Sequence, residues 1–317
     1  MKESLFIINH QKTWQELENI LKEYNSGNKK TDGDTLHRLF HLYQTVCGHL
    51  SIARTRYGNT GTVDYLNNLV SRAHQAVYTS RPGSLQSVAH FLAKGFPALI
   101  KREYRAFLLS AGVFVFGFLF SFLTVLYWED YALSFIPAEY VTAVRNLSGN
   151  TGNFNFAVAS VAIFTNNIRV GIIAFALGIT FGVGTVYVLA KNGMILGAMA
   201  AVSAKAGTGF VFWSLILPHG IPELFCIFVC GAAGLTTAKH MIFPGLHSRR
   251  KSFSAGGKKS LMMFLGTIPI FILAGLTEGY ITPLPVEPAY KYAAALVWLI
   301  VLTGYIFSGK KSILSAK

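Results

Sequence analysis

A chain of 317 residues that is 52% hydrophobic, only 13% charged and formally +14 is poor material for a soluble domain, where about a quarter of residues carry charge. The positive excess is no nucleic-acid signature, because no zinc motif, recognition-helix pattern or aromatic–basic repeat accompanies it. It matches basic loops on one side of a membrane and a basic domain near anionic lipid. The sparse cysteines, Cys47, Cys226 and Cys230, give no disulfide framework.

Residues 1–95 predict a cytoplasmic helical domain. Trp14, Leu17, Leu21 and Tyr24 recur at helical spacing, and Asn25-Ser26-Gly27-Asn28 ends that run. Asp34 is placed to cap a second helix whose apolar face would hold Leu36, Leu39, Phe40, Tyr43, Val46 and Leu50, with Tyr57-Gly58-Asn59 as its stop. A third helix covers about 63–78, Arg81-Pro82-Gly83 breaks the chain, and a fourth begins after Ser84. Residues 96–106 mix Lys101, Arg102 and Arg105 with Phe96, Leu99, Ile100 and Tyr104, the composition of an interfacial amphipathic segment on the inner leaflet. The charged N-terminus is not that of a cleavable signal peptide, which leaves targeting to the first spanning helix.

From 107 to 317 the chain reads as a transmembrane domain of about six spans, the third one broken. The fold class is therefore all-α: a polytopic helical membrane protein with an N-terminal cytoplasmic helical domain. A helix needs about 20 apolar residues to cross a bilayer. The first span, 107–127, ends in an aromatic belt of Tyr127, Trp128 and Tyr131. In the polar loop that follows, 146–153 reads as exposed, and the apolar piece 154–164 is too short to cross and predicts an in-plane or re-entrant element. The second span is 168–190, stopped by Lys191-Asn192-Gly193, and the third, 194–217, is interrupted by Lys205-Ala206-Gly207-Thr208-Gly209. The fourth, 221–238, precedes a basic loop with Arg249, Arg250, Lys251, Lys258 and Lys259. The fifth is 261–281, with Glu278 at its interfacial end, and the sixth covers about 292–307. Six crossings gather the 101–105 cluster, Lys191, the 239–259 loop and the tail with Lys310, Lys311 and Lys317 on one side. By charge bias that side is cytoplasmic, so both termini are cytoplasmic and the chain belongs in the cytoplasmic (inner) membrane.

Ionisable residues inside hydrocarbon are costly and point to a partner or a wet cavity. Asn166, Asn167 and Arg169 open the predicted second span, and Pro218-His219-Gly220-Ile221-Pro222-Glu223 opens the fourth. That topology puts both groups at similar depth, and Glu223 is the predicted counter-charge of Arg169. Pro222 suits a first helical turn, with Glu223 near the positive end of the dipole. Three readings of this polar membrane site stand side by side: a structural lock between helix ends, a permeation or binding site, and a metal or acid–base site. Zinc wants three or four protein ligands, and only His219 and Glu223 present themselves. His-Glu-x-x-His, Gly-x-Ser-x-Gly and a phosphate-binding loop are absent from the sequence, so no catalytic residue, metal or cofactor is predicted. Two secondary candidates remain. Lys205 either snorkels from a re-entrant break or lines a cavity, and Asn192 marks a tight cytoplasmic turn. Gly178 and Gly182, like Gly231 and Gly234, have spacing suited to close helix packing. Cys226 and Cys230 share a helix face as small packing residues.

Several short stretches carry a resemblance. They are Phe6-Ile7 with Trp14 and Leu17; Leu42-Tyr43; Tyr65-Leu66-Asn67; Phe96-Pro97; Thr165-Asn166-Asn167-Ile168-Arg169-Val170; Leu189-Ala190-Lys191-Asn192-Gly193; Pro218-His219-Gly220 with Glu223-Leu224; and Pro244-Gly245. Together they resemble the stage II sporulation protein M family, in a form with an N-terminal cytoplasmic helical domain that the shorter sporulation member lacks. The resemblance implies an integral cytoplasmic-membrane protein. The namesake of the family acts as a membrane scaffold for cell-wall-degrading partners during engulfment. The expected function is thus a non-enzymatic membrane scaffold or assembly protein. It is expected to be a homodimer in contact with membrane lipid and with cytosolic or cell-wall-machinery proteins, and not with nucleic acid. A channel or small-solute transporter lined by Asn166, Asn167, Arg169, His219 and Glu223 is the alternative, and a membrane-embedded metal-dependent hydrolase is the third reading.

Overall fold

The computed structural model describes residues 2–25, 33–58, 60–78, 85–147 and 156–309, and for 25, 33, 34, 36 and 156–163 the backbone alone, so the side chains of the expected cap Asp34 and of Leu36 lie outside the description. The predicted breaks at 26–28 and 81–83, the 148–153 stretch and the basic tail from 310 onward lie outside the described residues. The chain divides into two compact units, 1–87 and 88–317.

In the first unit, α1 (Glu3–Asn25), α2 (Gly33–Tyr57) and α3 (Gly61–Tyr78) share one apolar core. Trp14, Leu17 and Leu21 of α1 are buried there against Leu39, Val46 and Leu50 of α2 and Leu66 and Leu69 of α3. Spacings of three and four residues keep each set on one helix face. Phe40 falls outside that stripe and is exposed. Arg72 pairs with Glu18 at 3.0 Å, and Arg38 pairs with Glu16.

α4 (Leu85–His90) leads through a π-helical turn, Phe91–Gly95, into α5 (Phe96–Arg102). The expected interfacial segment is not laid on lipid by its apolar face. Phe96, Pro97 and Ile100 are buried in the core of the second unit, and Phe96 lies where a side chain on Gly266 would be. Lys101 Nζ donates to the carbonyls of Phe307 and Gly309 at 2.9 and 2.6 Å, joining the start of this unit to the last described residue.

The remaining helices are α6 (Tyr104–Tyr127), α7 (Ala132–Phe135), α8 (Ala138–Arg145), α9 (Phe156–Ala176), α10 (Val183–Lys205), α11 (Gly209–Ile242), α12 (Arg249–Tyr280) and α13 (Pro288–Ser308). Five of them, α6, α10, α11, α12 and α13, are long and apolar enough to cross a membrane, and α9 contributes a shorter apolar stretch, Phe164–Thr180. Leu108, Phe116, Leu119 and Leu123 on α6 and Leu296, Val297, Ile300 and Val301 on α13 are exposed. Apolar surface of that extent belongs against lipid.

Contacts fix the direction of each helix. α6 and α10 run parallel, since Gly193 meets Phe114, Gly197 meets Phe118 and Lys205 meets Leu126. α9 runs opposite to α10, with Thr185 Oγ1 bonded to the Ala174 carbonyl at 2.8 Å. α11 runs opposite to α6, α12 opposite to α11 and α13 opposite to α12. The second unit therefore has two faces. Residues 96–105, the 177–182 turn, the 243–248 loop and Gly309 share the near face. Residues 128–147, 206–208 and 281–287 share the far face, where Tyr127, Trp128, Tyr131, Tyr280 and Tyr290 are exposed as an aromatic belt.

This corrects the boundaries of the middle spans. The predicted span 168–190 is two helices. The chain leaves α9 by a 3-10 turn, Leu177–Thr180, and reverses where Phe181 and Gly182 both take positive φ, 56° and 85°. Conversely, Lys205-Ala206-Gly207-Thr208-Gly209 does not break a third span; it is the far-face connection between two whole ones. Asn192-Gly193 lies inside α10, and Lys191 lies with it rather than in a near-face turn. The piece expected to fold back at 154–164 is instead the start of α9 from residue 156. The short helices α7 and α8 fold back in its place. Phe135 packs edge-on to Phe120 at 6.1 Å, and Ile136, Val141 and Val144 are buried against α10 and α11.

α11 is the hub. Its most apolar window is 67% buried, against 22% for α6 and 17% for α13. Glycine permits the closest approaches. A Cβ on Gly178 would stand 2.6 Å from the Cα of Gly234, and one on Gly193 would overlap the Phe114 carbonyl. In lipid, apolar surface alone does not drive helices together, so contacts of this kind and interhelical hydrogen bonds hold the bundle.

Candidate functional site

α11 continues through Pro218 and Pro222, so Pro218–Glu223 is mid-helix and not a helix start. Each proline withholds one backbone donor from the preceding turn, which a bundle interior tolerates when neighbouring helices shield the freed carbonyl. Because the helix is continuous, His219 and Glu223, four residues apart, fall on one face. Both are buried, at 6% and 1% exposure.

Glu278 meets them from the last turn of α12. It stands two residues from the end of α12 and is 1% exposed. One ring nitrogen of His219 and one carboxyl oxygen each from Glu223 and Glu278 lie within 4.8 Å of one another. Thr282 Oγ1, in the turn after α12, is 3.1 Å from His219 Nδ1, and Lys291 Nζ donates to the Thr282 carbonyl at 2.8 Å. Beside Glu278, Trp298 Nε1 donates to Thr277 Oγ1 at 3.1 Å and ties α13 to the same corner. From α9, Asn167 Nδ2 donates to Glu223 Oε2. Glu223 Oε1 and Glu278 Oε2 are buried without a hydrogen-bond partner among the described residues. Two carboxyls this close in a low-dielectric interior stay together with a proton or a cation between them.

Of the residues singled out in the sequence, the structure brings together Asn167, His219 and Glu223. Asn166 and Arg169 are exposed on α9, and Arg169 makes no ion pair among the described residues, so the expected Arg169–Glu223 pair does not form. Asn192 Nδ2 donates to its own helix at Val188 O, 2.7 Å away. Lys205 reaches Glu129 Oε2 at 3.1 Å on the far face, where Arg145 also pairs with Glu129. These two cations, Lys205 first, hold the Glu129 carboxyl below the usual carboxylate range. Cys226 and Cys230 are free and buried, each 3.7 Å from Thr267 of α12. Sequence reasoning missed Glu278 as a partner and left Lys291 unremarked. The signal that finds Glu278 is the antiparallel hairpin of α11 and α12, which carries the last turn of one helix alongside the outer part of the other.

The stage II sporulation protein M family matches residues 110–283, a span that contains Asn167, His219, Glu223, Glu278 and Thr282. The chain belongs to the stage II sporulation protein M family. Residues 4–79, within the first unit, match a domain of unknown function. Among relatives, the Uncharacterized protein MJ0793 of Methanocaldococcus jannaschii is 30% identical over 141 residues, 44% of this chain and 78% of that protein. The Uncharacterized protein MJ0706 of the same organism is 26% identical over 187 residues, 57% of this chain and 83% of that protein. No solved structure matches the chain.

Proposed function

We propose that this stage II sporulation protein M family member is a non-enzymatic membrane scaffold or assembly protein. In this reading it is dimeric, sits in the cytoplasmic membrane with both termini in the cytosol, and offers its N-terminal helical unit to cytosolic or cell-wall-machinery proteins. The observation that carries the reading is the set of glycine seams. Gly117, Gly193 and Gly197 between α6 and α10, and Gly178 of the turn after α9 against Gly234 of α11, bring backbone onto backbone, which suits a rigid platform and opposes the rocking of a transporter. The orientation follows from near-face charge, now without Lys191: Lys101, Arg102, Arg105, Lys239, Arg249, Arg250 and Lys251. The dimer has its own support. Thr165, Asn166 and Arg169 form an exposed polar stripe on α9, which a second copy would shield from lipid.

Exposure of Asn166 and Arg169 speaks against a single path lined by all five candidate residues. Purified protein in liposomes is expected to give no ion or small-solute flux above empty vesicles. Flux that His219→Ala abolishes would overturn the scaffold reading. The hydrolase reading has one observation in its favour, the third ligand supplied by Glu278, since catalytic zinc sites use three protein ligands and an open position.

A further inference from the structure

The geometry points to a divalent transition-metal site at His219, Glu223 and Glu278, with zinc the ion that best suits the donors. This inference stands independently of the scaffold reading. The argument starts from what is left unsatisfied. Burying a polar atom without a partner is costly, and here two carboxyl oxygens, Glu223 Oε1 and Glu278 Oε2, stand in that condition in one place. No side-chain donor among the described residues meets them. Asn167 serves the other oxygen of Glu223, and the ammonium of Lys291 donates to the Thr282 carbonyl and reaches neither carboxyl oxygen.

The donor set is that of a transition-metal centre. One imidazole nitrogen and two carboxylate oxygens have the ligand types zinc takes in proteins, and three protein ligands leave a fourth position for water. An ion central to three atoms no more than 4.8 Å apart lies at most about 2.8 Å from each, and closing to zinc's ~2.0–2.2 Å takes shifts of at most about 0.8 Å per donor atom. The charges also balance, because two carboxylates and a neutral imidazole cancel a divalent cation, which suits an interior closed to water. The outer contacts resemble those of known metal centres. His219 is oriented by Thr282 through Nδ1 and Glu223 by Asn167, and outer hydrogen bonds of this kind fix the orientation of metal ligands. Access is short: Glu278 is in the last turn of α12 and Thr282 in the turn beyond it, so the site lies beneath the far-face α12–α13 connection.

The site binds α11 to α12 and draws α9 in through Asn167. An ion there fastens the outer half of the hub helix, where two prolines have removed backbone hydrogen bonds.

The test uses full-length protein in detergent, stripped with a chelator, reloaded with zinc or with manganese, and desalted. Elemental analysis is expected to find about one zinc or manganese per chain, and reloading is expected to raise the unfolding temperature where magnesium does not. Glu278→Gln and His219→Asn are expected to lower retained metal by about tenfold or more in samples that remain monodisperse. Should neither variant fold, Thr282→Val, which loosens His219 without removing a ligand, is expected to weaken metal retention in a chelator competition. Stripped wild-type protein that takes up neither metal and shows no thermal shift overturns the site. So does full retention of the metal by Glu278→Gln and His219→Asn together.

Discussion

Asn167 on α9 donates its side-chain amide to Glu223 Oε2 on α11, while Arg169, two residues further along α9, is exposed and takes no part. The contact that ties these parallel helices is therefore a hydrogen bond to a carboxyl group and not an ion pair. A neutral donor meets the buried group without bringing a second charge out of water.

Replacing the two residues separates these roles. Asn167→Leu removes the donor and leaves a third carboxyl oxygen unmet, a loss of about 1–3 kcal/mol. Arg169→Met is expected to change monomer stability by no more than about 0.5 kcal/mol, as for surface positions in general. Reversible unfolding in mixed micelles measures both. Equal losses for the two variants would mean that the guanidinium engages the centre after all.

Glycine content in the spans makes a second prediction. Gly193→Ala forces a methyl group onto the Phe114 carbonyl of α6 and is expected to cost about 1–3 kcal/mol as overpacking. Gly112→Ala, on the same seam's partner helix but with nothing within 4 Å of its Cβ position, is expected to be neutral or to stabilise by up to about 1 kcal/mol through helix propensity. Thermal melts of the two variants side by side check the contrast, and a stable Gly193→Ala would return residues 191–193 to the status of a turn.

Much of this architecture is legible in the sequence, and the errors have a common cause. Trp14, Leu17 and Leu21 mark the first helix because a three-helix core needs a periodic apolar face, and the 107–127 run marks α6 because lipid demands length and apolarity. The middle spans were displaced because their punctuation does not follow that of soluble proteins. The 177–182 turn contains no charge and no proline, and reverses the chain through the positive φ of Phe181 and Gly182. Asn192-Gly193 has the composition of a turn, yet Gly193 is a packing residue. Pro218 and Pro222 have the composition of a helix start, yet α11 passes through both. The candidate site was half legible for the same reason. His219 and Glu223 are unusual in apolar surroundings, but Glu278 gains its meaning from the hairpin that carries it inward.

The first unit has a pH dependence of its own. Trp14 Nε1 donates to His49 Nδ1 at 3.1 Å, and the His10 ring lies tilted against the same ring at 4.0 Å between centroids. Burial first, and His10 second, hold His49 below its ordinary value of 6.5. The native state thus favours the neutral ring that accepts from Trp14, while the unfolded chain takes up a proton near pH 6.5. Stability from this group is fully present above about pH 6.5 and declines as the pH falls toward the lowered native value. Amide exchange of α1 and α2 in the full chain should show less protection at pH 5 than at pH 8, and His49→Gln should flatten the difference. A profile in which wild type is no less protected at pH 5 would contradict it.

The central claim is that α11 and α12 bring the carboxyl groups of Glu223 and Glu278 to one buried centre beside His219. A double-mutant cycle on unfolding free energy, with Glu223→Gln, Glu278→Gln and the pair, tests it most directly. Groups that share a centre are expected to couple by at least about 1 kcal/mol, whereas additivity within about 0.5 kcal/mol is the behaviour of residues that do not meet and would contradict the account.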